Sequence, residues 1–146
     1  MAVSALDQVG FVVDENLVAL GRALRQLRRR EFAVFGDDEL AELIPKGALD
    51  SEWIPIAGDR GWVVITNDRR VRTRPMESAL AVRHGLRVVH LHGQVGSQRP
   101  WSQAERVLGR WKAVERRLAK KPTGPLWLSA RATGVWELGY PDAGGV

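Results

Sequence analysis

Acidic residues follow two short apolar runs of this chain, and a third acid stands between those runs. Asp14 and Glu15 come directly after the first run, and Asp68 follows the run 63–67. Asp50 precedes the second run, at the start of a predicted short helix. If the two runs are neighbouring parallel strands, their carboxyl ends open at one edge of a sheet, where open α/β folds bind ligands. Carboxylates gathered there repel one another unless a cation lies between them.

A divalent cation held by these acids would supply chemistry that cuts phosphodiesters. Mg²⁺ and Mn²⁺ prefer oxygen ligands and keep several waters, so two or three carboxylates are enough to hold one against a phosphate. The ion can generate a hydroxide from bound water and neutralise charge on the phosphate. Each acid alone is also typical of a strand exit or a helix cap. Their shared corner favours the metal site, and we predict Asp14, Asp50 and Asp68 as its catalytic ligands with Glu15 beside them.

The elements that must position these acids follow from the apolar periodicity. The predicted strands are 10–13, 32–35, 62–66, 86–91, 126–130 and 134–138. The predicted helices are 17–30, 38–43, 50–57, 76–84 and 101–120. Strands that alternate with helices predict a three-layer α/β/α domain around a central, mainly parallel sheet, with a C-terminal hairpin after the last helix. We expect residues 1–140 to form one domain and residues 141–146 a loose tail.

Caps and faces of the predicted helices can also be assigned. Asn16 is predicted to cap the first helix, and Asp50 and Ser51 are predicted to cap the third. In the last helix a spacing of three and four predicts one shared apolar face. That face consists of Trp101, Ala104, Leu108, Trp111, Val114 and Leu118.

Composition narrows the function classes. The chain has 146 residues, a formal net charge of +5 and no cysteine, which excludes a thiolate metal site or a disulfide framework. The sequence pI of about 10.4 favours a polyanionic partner such as RNA. No apolar stretch approaches the roughly 18 residues of a membrane span, and the first ten residues lack the pattern of a signal peptide. We therefore expect a cytoplasmic protein that does not bind a membrane.

The motifs that surround the acids resemble those of a known family. Asp-Glu-Asn-Leu after the first strand, an Asp that opens the helix before the third strand, and Ile-Thr-Asn-Asp after that strand are similar to the PIN-like ribonucleases. The closest resemblance is to the VapC-type toxin branch, and it covers residues 10–92 best. It implies an endoribonuclease that depends on Mg²⁺ or Mn²⁺, is held inactive by a cognate antitoxin, and is often a homodimer. By position, Asp14, Asp50 and Asp68 match the family's metal-binding acids.

The resemblance leaves the fourth acid of the family open. Where many members carry it, this chain has Arg69-Arg70 and His90-Leu91-His92. Glu15, Asp38 and Asp59 are the alternatives for that ligand.

Polar residues next to the acids are candidates for holding the substrate. Thr66 and Asn67 could orient a water or a phosphate oxygen, and Arg69 and Arg70 could contact phosphate. These arginines begin a basic run that continues to Arg74. The alternative interpretation is that this run is a solvated loop. For the histidines after the fourth strand, we predict that one is hydrogen-bonded at the strand end and that the other is solvated, in preference to a metal pair.

Two other function classes fit the same pattern. A non-catalytic interaction domain would keep the sheet and use the acids only as caps. A phosphotransfer receiver also gathers acids at strand ends, but a lysine should then follow the late strand, and Leu91-His92-Gly93 contains none. The basic and partly apolar surface suits an acidic partner peptide that plugs the metal site, and helix 101–120 is the predicted place for dimer contacts.

Overall fold

A computed structural model of the chain describes residues 6, 9–37 and 40–141. Its strands are β1 (Phe11–Val13), β2 (Phe32–Val34), β3 (Val63–Thr66), β4 (Arg87–Leu91), β5 (Leu126–Arg131) and β6 (Gly134–Leu138). Its helices are α1 (Val18–Leu27), α2 (Leu40–Leu43), α3 (Asp50–Asp59), α4 (Arg70–Thr73), α5 (Pro75–Arg83) and α6 (Pro100–Lys120). Short 3-10 turns cover Glu15–Leu17 and Gly93–Ser97. The six predicted strands are thus all present.

The strands form one sheet in the order β2-β1-β3-β4-β5-β6. All neighbours pair in parallel except β5 and β6, which form the predicted antiparallel hairpin. The chain leaves β1 toward β2 on one side and returns to β3 on the other, so the order reverses between β1 and β3. Ligands of open α/β sheets bind at such a switch point, outside the carboxyl ends of the strands.

Helices cover both faces of the sheet. Val13 and Val12, which alternate along β1, contribute to two separate apolar clusters. The first cluster includes side chains of α1 and α6, and the second includes side chains of α2, α3 and α5. In α1 the tight packing depends on Gly21, because a Cβ there would lie 2.7 Å from Val34. The fold class predicted from the sequence, a three-layer α/β domain with a mainly parallel sheet, is confirmed.

The predicted face of the last helix is wrong at Trp101 and Leu108, whereas Ala104 and Trp111 pack against the core as predicted. Trp101 and Leu108 are 77% and 54% exposed. The buried side chains of α6 are instead Gln103, Val107, Val114 and Leu118. The sheet sets this choice, because residues that pack against β4 and β5 must lie under the helix, and a Trp–Leu spacing alone does not show which side faces the sheet.

Three local predictions are also corrected. The cap before the first helix is Asp14, whose side chain accepts a hydrogen bond from the Asn16 backbone N–H, and it caps the 3-10 turn that precedes α1. Asp50 opens α3 as its first residue, while the N-cap position belongs to Leu49. The arginine run after Asp68 is not a loop, since four of its residues form α4. Across the described ranges, none of the helices is both long and apolar enough to span a bilayer.

Candidate functional site

The three predicted catalytic acids come together at the switch point of the sheet. Asp14 follows β1, Asp68 lies two residues beyond β3, and Asp50 begins α3. Together with Glu15 they line a cavity of about 160 Å³. We refer to the space lined by Asp14, Glu15, Asp50 and Asp68 as the acidic cavity. The apolar residues that line it include Phe35, Ile44, Trp53 and Val71.

Asp14 is more deeply buried than Asp68 and accepts two hydrogen bonds. Its Oδ2 accepts a hydrogen bond of 2.7 Å from the Thr66 hydroxyl, and its Oδ1 accepts one of 3.1 Å from the Asn16 N–H. Burial raises the pKa of Asp14, and the two hydrogen bonds only partly oppose that effect. The negative charges of Asp68 and Glu15 raise the pKa further. This carboxylate therefore favours a nearby cation.

Asp68 already has a cation beside it. Arg70 donates from Nη2 to Oδ2 at 2.7 Å and from Nε to Oδ1 at 2.9 Å. The Arg70 backbone N–H adds a further bond to Oδ1. Burial pushes the pKa of Asp68 upward, but the hydrogen bonds and charge of Arg70 outweigh it and leave the pKa below its usual value. The hydrogen bonds to Asp68 raise the pKa of Arg70, and the charges of Asp50 and Asp14 act in the same direction.

The other two acids of the cavity each hold one structural hydrogen bond. Asp50 accepts one of 2.9 Å at Oδ1 from the Trp53 indole N–H, which fixes its direction at the start of α3. Glu15 accepts one of 3.1 Å at Oε1 from the Gly47 backbone N–H. Both carboxylates are half-buried. Among the candidates for the fourth ligand that lie within the described residues, Glu15 is the one beside the three aspartates.

Two candidates for the fourth ligand remain, Asp38 and Asp59. Asp38 is outside the described residues. Asp59 is at the opposite end of α3 from Asp50, about 13.5 Å along the helix axis. Its carboxylate pairs there with His84 Nδ1 at 2.8 Å. The structure therefore does not bring Asp59 to the acidic cavity.

The donor set of the cavity has the right chemistry for a hard divalent cation, because it consists of carboxylate oxygens. Within residues 6, 9–37 and 40–141, however, no three acidic or histidine side chains are arranged closely enough to enclose an ion. Both oxygens of Asp68 are directed to Arg70 instead. The residues fit Mg²⁺ or Mn²⁺ by type, and Arg70 supplies the positive charge beside Asp68.

The residues predicted to position a substrate have two kinds of place: Thr66 bonds to the acids, and Asn67 and Arg69 line a neighbouring cavity. Thr66 is buried and links two acids, since its hydroxyl donates to Asp14 and accepts from the Asp68 N–H at 3.0 Å. Asn67 donates from Nδ2 to the Gly96 carbonyl at 2.8 Å and so anchors the 3-10 turn 93–97. Arg69 lines a neighbouring cavity together with Asn67.

The two histidines at the end of β4 differ as predicted. His90 is 9% exposed and its Nε2 lies 3.2 Å from the Asn67 carbonyl oxygen. His92 is exposed. Both line the same cavity as Arg69.

Sequence reasoning missed one contributor to this edge of the sheet, Arg131. It ends β5 opposite Gly134, and Leu91↔Ala130 pairing brings it beside His92. Its position in a predicted turn gave no functional signal. The alternation of the β5 run could have revealed it, because Ser129 and Arg131 must face the same side.

Comparison with known proteins supplies one match. A family model described as a PIN-like domain matches residues 10–93, which is more than half of the chain. This range begins before Asp14 and ends after His92, so it contains every side chain of the acidic cavity. No curated protein and no solved structure matches the chain.

Proposed function

The chain belongs to the PIN-like domain family, and on this premise we propose that it is an endoribonuclease that depends on Mg²⁺ or Mn²⁺. The observation that carries the proposal is the convergence of Asp14, Asp50 and Asp68 on one cavity at the switch point of the sheet. Acids far apart in sequence have no need to share a corner if each serves only as a cap. The positive charge of the chain agrees with a polyanionic substrate.

In this proposal each acid has a definite part. Asp14, Asp50 and Asp68 would hold the ion, with Glu15 beside them. The bound metal would supply an activated water and charge neutralisation at the phosphate. Thr66 keeps Asp14 and the backbone of Asp68 in fixed relation, which is the role its two hydrogen bonds support.

Metal binding in this proposal requires a movement of Arg70. Its guanidinium must leave Asp68 before that carboxylate can serve as a ligand. The guanidinium can move into water, since 54% of the Arg70 side chain is accessible to solvent, whereas 15% of the Asp68 side chain is accessible. The exchange breaks the bidentate contact with Asp68, and the metal must replace the two hydrogen bonds that are lost.

We further propose that the enzyme is of the VapC type and is the toxin of a toxin–antitoxin pair. The Asp-Glu-Asn sequence at 14–16 supports the branch. A cognate antitoxin is the expected protein partner, and a homodimer through α6 is the expected assembly. The exposed Trp101 and Leu108 on α6 support an apolar contact surface there.

The deciding experiment is a metal titration of cleavage on a mixed RNA pool, run beside Asp14→Asn. We expect cleavage that needs Mg²⁺ or Mn²⁺, stops in excess chelator and is absent in the variant. Cleavage that continues unchanged in chelator would refute the mechanism.

A second candidate is a non-catalytic PIN-like interaction domain. The ion pair between Arg70 and Asp68 favours it, because the chain neutralises its own acid without a metal. This candidate predicts a melting temperature that responds neither to Mg²⁺ nor to Mn²⁺, together with no cleavage of any RNA in the pool.

A further inference from the structure

A second cavity lies at the same edge of the sheet, beyond the ends of β4 and β5. It has a volume of about 700 Å³, and it shares Asp68 and Arg70 with the acidic cavity. Its lining includes Arg69, Arg72, Arg131 and His92. We call the space lined by these four residues the basic groove. A ligand in the groove would therefore continue directly into the acidic cavity.

Two arginines of the basic groove are held in place by their surroundings. Arg72 donates from Nη1 to the Gly139 carbonyl at 2.8 Å, and its guanidinium lies 6.0 Å from the ring centre of Trp127. Arg131 donates from Nε to the Ser129 hydroxyl at 3.1 Å and lies 5.1 Å from the ring centre of Trp136. Such fixed guanidinium groups lose less conformational entropy when they bind an anion.

The positive charge of the groove is not neutralised within the part of the chain that the structure describes. Among those residues, no carboxylate lies within 4 Å of the guanidinium nitrogens of Arg69, Arg72 or Arg131. Desolvation lowers the pKa of His92, and the charges of Arg131 and Arg106 lower it further. The neutral imidazole leaves the arginines as the anion-binding groups.

From this arrangement we propose that the basic groove binds the phosphodiester backbone of the RNA strand on one side of the phosphate that is cut. The proposal rests on the proposed function and adds the path of the substrate. Strands in a sheet are about 4.8 Å apart, so β5 lies roughly 10 Å from β3 along this edge. Arg131 is therefore set to hold a part of the strand away from the reacting phosphate. Arg72, which lies beside Trp127 of β5 and bonds to the Gly139 carbonyl, is set to hold a part on the same side.

Binding without cleavage tests the path directly. Labelled single-stranded RNA is titrated with protein in excess chelator, and affinity is followed by fluorescence anisotropy over a series of salt concentrations. We expect Arg72→Gln and Arg131→Gln each to weaken binding about tenfold. Each should also reduce the slope of log affinity against log salt by about 0.7, the value for one lost phosphate contact on a single strand.

Arg60→Gln is the matched control. Arg60 lies 5.3 Å from the ring centre of Trp62, so it repeats the stacked arrangement of Arg131. It precedes β3 and thus sits at the opposite edge of the sheet. We expect this variant to keep both the affinity and the salt slope. Arg131→Lys should keep most of the slope while it loses the bond to Ser129, which separates a charge effect from a structural one.

The possible outcomes separate this proposal from the proposed function. If the wild type cleaves RNA but the groove variants retain full affinity and slope, the groove proposal is wrong and the nuclease stands. If the variants lose binding while no metal supports cleavage by the wild type, the groove stands and the nuclease fails. Binding of poly-glutamate that depends on Arg72 and Arg131, without binding of RNA, would assign the groove to an acidic protein and overturn the proposal.

Discussion

At the carboxyl edge of the sheet, the acidic cavity lies beyond β1 and β3, whereas the basic groove lies beyond β4 and β5. The acids receive hydrogen bonds from their own chain, from Thr66, Trp53, Gly47 and Arg70. The arginines of the groove are held by carbonyl and hydroxyl oxygens and by rings, and not by carboxylates of the described residues. A cation must therefore compete with these hydrogen bonds in the acidic cavity. An anion can enter the basic groove without displacing a charged group of the described residues.

The largest effect that tests this contrast is on cleavage. Asp14→Asn should reduce the single-turnover rate of RNA cleavage in Mn²⁺ by about 10³-fold or more, because a metal ion supplies several kcal/mol of stabilisation in the transition state. The fold should survive, since burial disfavours the ionised form of Asp14 and the amide carries no charge. A melting temperature equal to or above that of the wild type would confirm this.

Asp59→Asn is the control for that comparison. Asp59 is an aspartate of the same chain that lies outside the acidic cavity, paired with His84. Cleavage by this variant should match the wild type. An equal loss of activity in both variants would show that the acidic cavity is not the site of the reaction.

The next effect is the response of stability to metal and pH. Mn²⁺ at about 100 times its Kd should stabilise the protein by about 2.7 kcal/mol, or roughly 5–10 °C in melting temperature. Metal binding needs ionised Asp14, whose pKa in the folded state is raised above 3.8. The shift should therefore be present at neutral pH and be lost as the pH falls through that raised value.

Without metal the same two aspartates should act in opposite directions. Protonation of Asp14 stabilises the folded state as the pH falls through its raised pKa, because the folded state binds that proton more tightly. Asp68 contributes stability above its ordinary pKa and loses it as the pH falls through the lowered value. Melting curves of Asp14→Asn and Asp68→Asn against pH should therefore diverge from the wild type with opposite signs.

A smaller effect concerns the link between the acids. Thr66→Val removes a buried hydroxyl that donates to Asp14 and accepts from the Asp68 N–H. We expect a loss of about 1–2 kcal/mol in the free energy of unfolding, measured in urea. Thr73→Val is the control, since the Thr73 hydroxyl is exposed and donates to the carbonyl of Arg69, the residue that precedes α4. An identical stability for the two variants would contradict the linking role of Thr66.

The smallest effect concerns Arg70. If its guanidinium occupies the place of the cation, Arg70→Gln should raise the affinity for Mn²⁺ by roughly fivefold, the size expected for removal of a surface ion pair. Binding of Mn²⁺ can be followed by electron paramagnetic resonance in the absence of RNA. Arg83→Gln, which removes an exposed arginine at the end of α5, should leave the affinity unchanged. An unchanged affinity in Arg70→Gln would show that the ion pair does not compete with metal.

The strands and the predicted acids could be found in the sequence because both depend on local signals. Buried parallel strands need β-branched apolar residues, so runs such as Val63–Thr66 stand out from their flanks. An acid that follows such a run must lie at the carboxyl edge whatever the rest of the fold does. This local logic predicts Asp14 and Asp68 at that edge, whereas Asp50 begins α3 and reaches the same cavity through the packing of that helix.

Partners across the chain were not visible in this way. Arg70 could be predicted as a substrate contact, but its grip on Asp68 depends on side-chain directions set by α4. Arg131 joins the basic groove only because β5 pairs with β4, and the exposed Trp101 lies outside the core only because α6 turns another side to the sheet. The contact between Arg70 and Asp68 is local, since the two residues are two positions apart. The positions of Arg131 and Trp101 come from packing between distant elements, where the residues that meet share no pattern in the sequence.

The amino-acid order by itself thus determined which residues end each strand and which chemistry they carry. The tertiary structure decided which of them meet, because strand order and helix rotation bring charges together regardless of their separation along the chain. Through that arrangement the acids of β1 and β3 lie next to a cation of their own chain, and the arginines of α4 and β5 form the adjoining groove.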